Sequence, residues 1–344
     1  MNKGLEKSLL KLVSINFFCF MKSSKKKRCW ACKSLDTIKW GKQQNKQRYK
    51  CNNCSILFSS ENKSVSSSNR FVWFKKWVIG RRIIEQISKE SNYSERTLKR
   101  YFNQYLSKPP VLSVYPSQKV NLIIDGTYFS NGICLVLYRD NTIKFTQLYR
   151  FSTGEYYSEI KEDLINLLKL GVQIESVTCD GHKSILKAVK EALPNATLQR
   201  CLVHIQRDCR IWLTRNPKSN AAYELKQISS KMHLINSHSQ LSFWLLDLHN
   251  WHEKYKGFIN EKSYNTETGR YWFTHKLVRR SFMTIKRALP NMFAYLDNPM
   301  IPKSSNSIES FFGHMKGHLN IHRGLSYEHR KQYIMWYLYF KNNL

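Results

Sequence analysis

Residues 121–129 read NLIIDGTYF, an apolar, β-prone run carrying Asp125 directly before Gly126. Two readings are open. Asp-Gly is a favoured two-residue hairpin turn, which would split the run into two short strands. Alternatively, the strand continues through Asp125 and holds its carboxylate at a fixed point for chemistry. The stretch alone favours the turn, so the rest of the chain must decide.

Downstream, GICLVLYRD (Gly132–Asp140) and TIKFTQLYR (Thr142–Arg150) are two more β-rich runs at close spacing, as in an antiparallel meander. EYYSEIKEDLINLLKLG (Glu155–Gly171) has apolar residues at helical spacing and a glycine stop. IESVTCDGHKSILKAVKEAL (Ile174–Leu193) reads as a strand ending at Asp180, then Gly181, then a helix. ATLQRCLVHI (Ala196–Ile205) is another short β-like run, followed by a long segment of helical patterns. Three strands, a helix, a strand, a helix and a strand match the order of a ribonuclease H-like α/β domain.

In that order Asp125 has a counterpart. Asp180 also ends a β run before glycine, although it too has a bland reading as a turn or helix cap. Carboxylates a few Å apart in a poorly solvated site repel, and protons or cations must lie between them. Two Mg2+ or Mn2+ ions would meet that need and serve phosphodiester chemistry. PKSSNSIESFFGHMKGHLNIHRGLS (Pro302–Ser326) offers Glu309 as a third carboxylate. A helix starting at Ser304 or Ser305 puts Asn306 and Glu309 on one face, and leaves Lys316, His322 and Arg323 to meet DNA.

The front of the chain has a different character. Cys29-x2-Cys32 and Cys51-x2-Cys54 have the spacing of two paired zinc knuckles, with TIKWGK and QRYKC as short strands between them. So small a module has little core, and metal binding would supply much of its folding energy. The serine-rich run Ser64–Arg70 reads as a linker. Beyond it, Ile83, Ile84 and Ile87 suit one short helix, and Leu98, Phe102 and Tyr105 suit a second. Asn92 suits a left-handed turn between them and Ser94 a cap, which is the layout of a helix-turn-helix. Arg96, Lys99 and Arg100 are then candidate DNA contacts. An ordinary helical hairpin is the competing reading. Pro109, Pro110 and Pro116 mark the boundary to the next domain.

Composition narrows the partners. The net charge is +32 over 344 residues, and residues 1–124 hold 26 Lys and Arg against 6 Asp and Glu, a net of +20. Such an excess opposes compaction unless a polyanion neutralises it, and DNA or RNA is the usual one. Apart from the two C-x-x-C pairs, the cysteines lie mostly in apolar runs, which suits a reducing cytosol and argues against a disulfide framework. Ser8–Phe20 is apolar but too short to span a membrane, contains Lys11 and leads into a basic block. Residues 1–28 therefore read as a basic tail, with Met21 as an alternative start. No membrane and no small-molecule substrate are expected.

The motifs IIDGTYF, VTCDGH, RCLVHIQR and SNSIESFFGHMKGHLNIHRGLS resemble those of bacterial mutator-type insertion-sequence transposases, in the variant with a zinc-binding N terminus. The resemblance covers residues 29 to about 335. It implies a ribonuclease H-like domain with an Asp-Asp-Glu triad of Asp125, Asp180 and Glu309, and an all-helical insertion over about 212–303. It also implies cutting of DNA at element ends and joining of the free 3′ hydroxyl to new DNA, with synapsis of two ends by at least a dimer. Cys201-x2-His204 matches a C-x-x-H signature of this family and its eukaryotic relatives. Without a second ligand pair, His204 reads as a hydrogen-bonding group beside the active site and Cys201 as packing. The expected architecture is a zinc ribbon at 29–60, a helix-turn-helix at 70–107 and the catalytic domain at 117–344. The expected cofactors are two Mg2+ (or Mn2+) and one structural Zn2+. Two other functions stay open: a DNA-binding protein without activity, and an RNA-cleaving protein of the same core fold.

Overall fold

The computed structural model describes residues 27–29, 32–43, 45–59, 63–116, 119–129 and 132–344, without the side chains of 63–68. Most of the basic tail and the alternative start at Met21 lie outside the described residues. The chain is mixed α/β and divides into two compact units, Met1–Val72 and Trp73–Leu344.

In the first unit, β1 (Thr37–Gln43), β2 (Lys46–Cys51) and β3 (Leu57–Ser59) form an antiparallel sheet in that order. Tyr49 stacks on Phe58, and Lys50 lies over the Trp40 ring. This is the pair of strands expected between the cysteines, with a third added. Helix α1 (Lys63–Ile79) follows and contains the division, so that Trp73–Ile79 belong to the second unit. The serine-rich run expected as a linker lies inside this helix, a correction with a simple cause. Serine is only mildly unfavourable within a helix, and no glycine or proline interrupts the run.

In the second unit, α2 (Ile84–Ser91) and α3 (Glu95–Leu106) are joined by a tight turn. Asn92 takes the left-handed conformation (φ 58°, ψ 19°), and Ser94 Oγ accepts from Thr97 N at 3.3 Å. The central sheet comprises β4 (Val120–Tyr128), β5 (Cys134–Asp140), β6 (Phe145–Ser152), β7 (Ile174–Cys179) and β8 (Thr197–Arg200). Helices α4 (Tyr157–Lys169) and α5 (Lys183–Ala192) flank β7 in sequence. The strand order is β6-β5-β4-β7-β8, antiparallel among β4, β5 and β6 and parallel from β4 to β8. Asp125 pairs with Leu137 of β5, so the Asp-Gly pair lies within a continuous central strand and is no hairpin.

Alternation along β4 sorts its side chains. Val120, Leu122 and Ile124 join the core beneath α4 and α5, with Ile160, Leu164, Ile185 and Val189. Asp125 has the opposite parity and shares its face with Asn121 and Ile123. That is the face on which α10 (Asn306–Asn320) packs against β4.

Between β8 and α10 lies a separate lobe: α6 (Leu202–Leu213), α7 (Asn220–Ser230), α8 (His238–Asn260) and α9 (Lys276–Ala288) around their own core. Two expectations are corrected here. The insertion is not all-helical, because β9 (Lys262–Tyr264) and β10 (Tyr271–Phe273) form a hairpin between α8 and α9. Its turn is built by Asn265, whose Oδ1 accepts from Glu267 N and Thr268 N, and by Gly269 at φ 64°. In addition, the β-like run Ala196–Ile205 is strand only to Arg200, and Cys201 is already the N-cap of α6. Trp244 and Trp251 are core residues, their indole N–H groups donating to Ile228 O and Ala221 O at 2.9 Å each.

The last helix, α11 (Tyr327–Asn342), ties the end of the chain to the helices before the sheet. Trp336 Nε1 donates to Tyr105 O at 2.9 Å, Tyr333 OH donates to Val78 O at 2.7 Å, and Phe74 meets the Trp336 ring edge-on.

Arg150 on β6 holds α4 to the sheet through a two-pronged pair with Asp163, Nε to Oδ2 at 2.8 Å and Nη2 to Oδ1 at 2.6 Å. Asp163 is buried, and truncating it leaves the mostly covered guanidinium with Glu162 alone, whose Oε2 accepts from Nη2 at 2.7 Å. We expect Asp163→Ala to cost about 2 kcal/mol in urea denaturation, because Glu162 still pairs with Arg150. A loss below about 0.5 kcal/mol would mean the pair contributes no more than a surface contact.

Candidate active site

Strand register brings the first two carboxylates together. Ile124 of β4 aligns with Cys179 of β7 in a parallel pair, so Asp125 and Asp180 are the next residues along adjacent strands. Asp180 leaves the sheet there, and its Oδ1 accepts from His182 N at 2.8 Å at the start of α5. Asp125 is buried, and its Oδ1 accepts from Gly126 N at 2.9 Å.

Glu309 enters from α10, in that helix's first turn. Its position depends on the segment just before the helix. Thr178 Oγ1 donates to Pro302 O at 3.0 Å, and Leu202 N donates to Lys303 O at 3.1 Å. Buried Ser305 donates to Cys201 Sγ from its N–H at 3.3 Å and from its hydroxyl at 3.4 Å. The C-x-x-H pair thus occupies the first turn of α6, with Cys201 gripping the start of α10 and His204 facing the carboxylates. His204 Nε2 lies 3.4 Å from Glu309 Oε1, and Arg207, one turn further, donates to Glu309 Oε2 at 2.8 Å.

Asp125, His204 and Glu309 each present a ligand atom within 4.8 Å of the others, a grouping able to hold a metal ion. Glu309 Oε1 is buried without a hydrogen-bond partner. Asp180 stands outside this tight group, although its charge acts on Asp125. Asn306 is exposed at the start of α10.

The electrostatics are those of crowded carboxylates. Burial, followed by the charges of Asp180, Glu309 and Glu155, raises the Asp125 carboxyl to about 7, against the opposing effect of His204. His204 is raised to about 9 by its hydrogen bond to Cys201, against its own burial, with Asp125 and Glu309 adding to the rise. A protonated His204 and Arg207 therefore stand as counter-charges to the acidic group.

Glu155, between β6 and α4, escaped the sequence reading. Its side chain is only 11% exposed, and its Oε2 lies 3.9 Å from His182 Nδ1. Its carboxylate fills the space over Gly126, where a Cβ would collide with Oε1. Gly181 plays the same part for Arg200, whose guanidinium occupies the place of a Cβ. Neither glycine has a positive φ, so each is there for close approach by a charged side chain and not for a turn. The glycine after each aspartate was the available signal, although it did not say which side chain would arrive.

The four cysteines also converge. Cys29 Sγ and Cys54 Sγ are 3.6 Å apart, Cys32 Sγ and Cys51 Sγ 3.5 Å, and none of the four is in a disulfide. A tetrahedron with metal–sulfur bonds of about 2.3 Å has sulfur–sulfur edges of about 3.8 Å, close to this spacing. Arg96, Lys99 and Arg100 are exposed on α3, as is Arg323 after α10. Lys316 lies over the Phe129 ring. His322 is a correction: it is buried against Trp77 and Tyr333, with Nε2 3.2 Å from Trp77 O, and so turns to the core instead of toward DNA. Burial lowers it to about 4, and it is uncharged at neutral pH.

Because the Asp125 carboxyl is raised relative to an unfolded value of about 3.9, its protonated form favours the folded state. That contribution is complete below pH 4 and disappears as pH rises through 7. In chelator, we expect Asp125→Asn to gain stability relative to the parent protein between pH 5 and pH 8, measured by urea denaturation. Parallel pH profiles for the two proteins would contradict the raised carboxyl.

Comparison with known proteins places these residues in context. Residues 154–284 match the family described as "Transposase, Mutator family". The chain is also 30% identical over 92 residues to a "Transposase for insertion sequence element ISRM5" of Rhizobium meliloti (strain 1021). That match covers 26% of this chain and 23% of the relative. Residues 154–284 of this chain are thus similar to the Mutator family of transposases; the matched region contains VTCDGH and RCLVHIQR, while Asp125 and Glu309 lie on either side of it.

Proposed function

We propose that this protein is a metal-dependent DNA transposase whose catalytic domain has a ribonuclease H-like fold. The observation that carries the reading is the convergence of Asp125 and Glu309 from opposite ends of the domain, each presenting a ligand atom within 4.8 Å of the other beside His204. Two carboxylates facing each other, with that of Asp180 nearby, fit a hard divalent cation, and carboxylate donors suit Mg2+ or Mn2+. The sheet order, a meander followed by two parallel strands with helices on both faces, supports the fold assignment.

In this reading Asp125, Asp180 and Glu309 hold two Mg2+ or Mn2+ ions. When bound, these would activate the attacking water or 3′ hydroxyl and stabilise the leaving oxygen. The protein's own groups do the positioning. Arg207 fixes one oxygen of Glu309 and turns the other toward His204. Cys201 and Ser305 hold the start of α10, and His204 sets the charge balance between the two carboxylates. The cysteine cluster would hold a structural Zn2+ in a ribbon, and α2 and α3 would act as a helix-turn-helix with Arg96, Lys99 and Arg100 toward DNA. Synapsis of two element ends calls for a homodimer or larger assembly. We place the protein in the cytoplasm with its DNA. No helix among the described residues is long and apolar enough to cross a membrane.

The test is strand cleavage of DNA carrying the element's ends, in Mg2+ and in Mn2+. We expect Asp125→Asn and Glu309→Gln each to lower the cleavage rate by about 1,000-fold or more, in line with loss of metal-assisted catalysis worth several kcal/mol. End binding should stay within about twofold. Cleavage at the parental rate in either variant would refute the mechanism.

A further inference from the structure

Beside the carboxylates a cleft of about 740 Å3 opens between the start of α5, the outer face of α6 and the exposed face of α9. Asp180 and His204 line it at the catalytic end. Six cations, Lys183, Arg200, Lys276, Arg279, Arg280 and Arg287, line it as well, against the acids Asp180 and Asp208. The motifs VTCDGH and RCLVHIQR supply its catalytic end, and the basic, aromatic run Tyr271–Leu289 supplies the rest.

Helix α9 explains its character. Val278, Phe282, Ile285 and Ala288 are buried in the lobe's core, so the opposite face, with Lys276, Arg280 and Arg287, is turned outward. The helix KLVRRSFMTIKRA contains five cations and no acid. Like charges at helical spacing repel, and a face built this way is costly unless an anion covers it. From Lys276 to Arg287 the face runs about 16 Å.

The walls also offer flat surfaces. Trp212 and Phe273 line the cleft, and the guanidinium groups of Arg280 and Arg279 lie over their rings, 4.4 and 3.9 Å from the centroids. Arg279 also donates to Asn260 Oδ1. Each arginine is therefore held beside an aromatic ring on the cleft wall, where it can meet phosphate oxygens or an unpaired base. Cations alternating with aromatic planes characterise surfaces that bind single-stranded nucleic acid, because a duplex keeps its base faces covered.

We propose that this cleft binds an unpaired DNA segment adjoining the scissile phosphate, leading it from the carboxylates along α9. The proposal rests on the transposase reading, and extends it by assigning the helical lobe a strand-binding role. Lys183, at the start of α5, and Arg200 would meet the phosphates nearest the cut. Lys276, Arg280 and Arg287 would meet those farther along.

Binding separates the possibilities without any cleavage. Fluorescence anisotropy is measured on the full chain carrying Asp125→Asn, with fully paired end DNA and with the same duplex bearing a single-stranded tail. Adding R280A/R287A should weaken the tailed DNA about tenfold or more and make its salt dependence shallower, by about two phosphate contacts. Affinity for the fully paired DNA should stay within about twofold. Trp212→Leu, which keeps both arginines, should also weaken only the tailed DNA, and thermal melts establish that each variant is folded. R96A/R100A should weaken both DNAs. Equal weakening of tailed and paired DNA by R280A/R287A, or none, overturns the cleft assignment while leaving the transposase reading intact. Preference for a matched RNA tail would also overturn it. A parent protein that binds neither DNA overturns both proposals.

Discussion

The candidate site depends on how firmly the segment Pro302–Ser305 is anchored to the ends of β7 and α6. Cys201 and Ser305 are 104 residues apart in sequence, with the whole helical lobe between them. Closing so long a loop costs entropy, and the contacts at its neck must repay it. They form a small buried cluster: Thr178 to Pro302 O, Leu202 N to Lys303 O, and two donors of Ser305 to Cys201 Sγ. Ser305 does not cap its own helix with its side chain, because that hydroxyl is committed to Cys201. Without the cluster, α10 would lose its register against β4, and Glu309 would no longer face Asp125.

Charge balance follows from this placement. Four carboxylates, Asp125, Glu155, Asp180 and Glu309, interact with one another around β4 and β7, and burial makes their mutual repulsion expensive. The protein answers with His204 and Arg207 on α6 and with Arg200 at the end of β8. A divalent cation would take over part of that role. The same helix, α6, therefore fixes the start of α10 through Cys201 and neutralises its glutamate through Arg207.

Much of this was legible in the sequence, and the failures have physical causes. The strands of the central sheet followed from continuous β-rich runs, because β4 and β5 are buried on both faces, and the helices followed from the periodicity of their amphipathic faces. Asn92 and Ser94 were read correctly because turn and cap chemistry is local. Asp125 was ambiguous, since hairpin statistics and a catalytic strand place the same dipeptide there; pairing with β5 and β7 decides it. Glu155 was invisible because it reaches the site from a loop, across Gly126, with no periodicity to mark it. His322 was misread because basic neighbours suggested a surface, whereas Trp77 and Tyr333 come from distant parts of the chain to bury it. The basic face of α9 was spread through an insertion whose packing only the tertiary structure reveals.

The central claim is that Asp125 and Glu309, with Asp180 beside them, form one divalent-metal site. A crystal soaked in Mn2+ and measured at the manganese absorption edge tests this directly. The account predicts an anomalous peak about 2.0–2.2 Å from carboxylate oxygens of both Asp125 and Glu309, absent from the Asp125→Asn protein. A well-ordered site with no peak at saturating Mn2+, or a peak bound elsewhere and unaffected by that substitution, would contradict it.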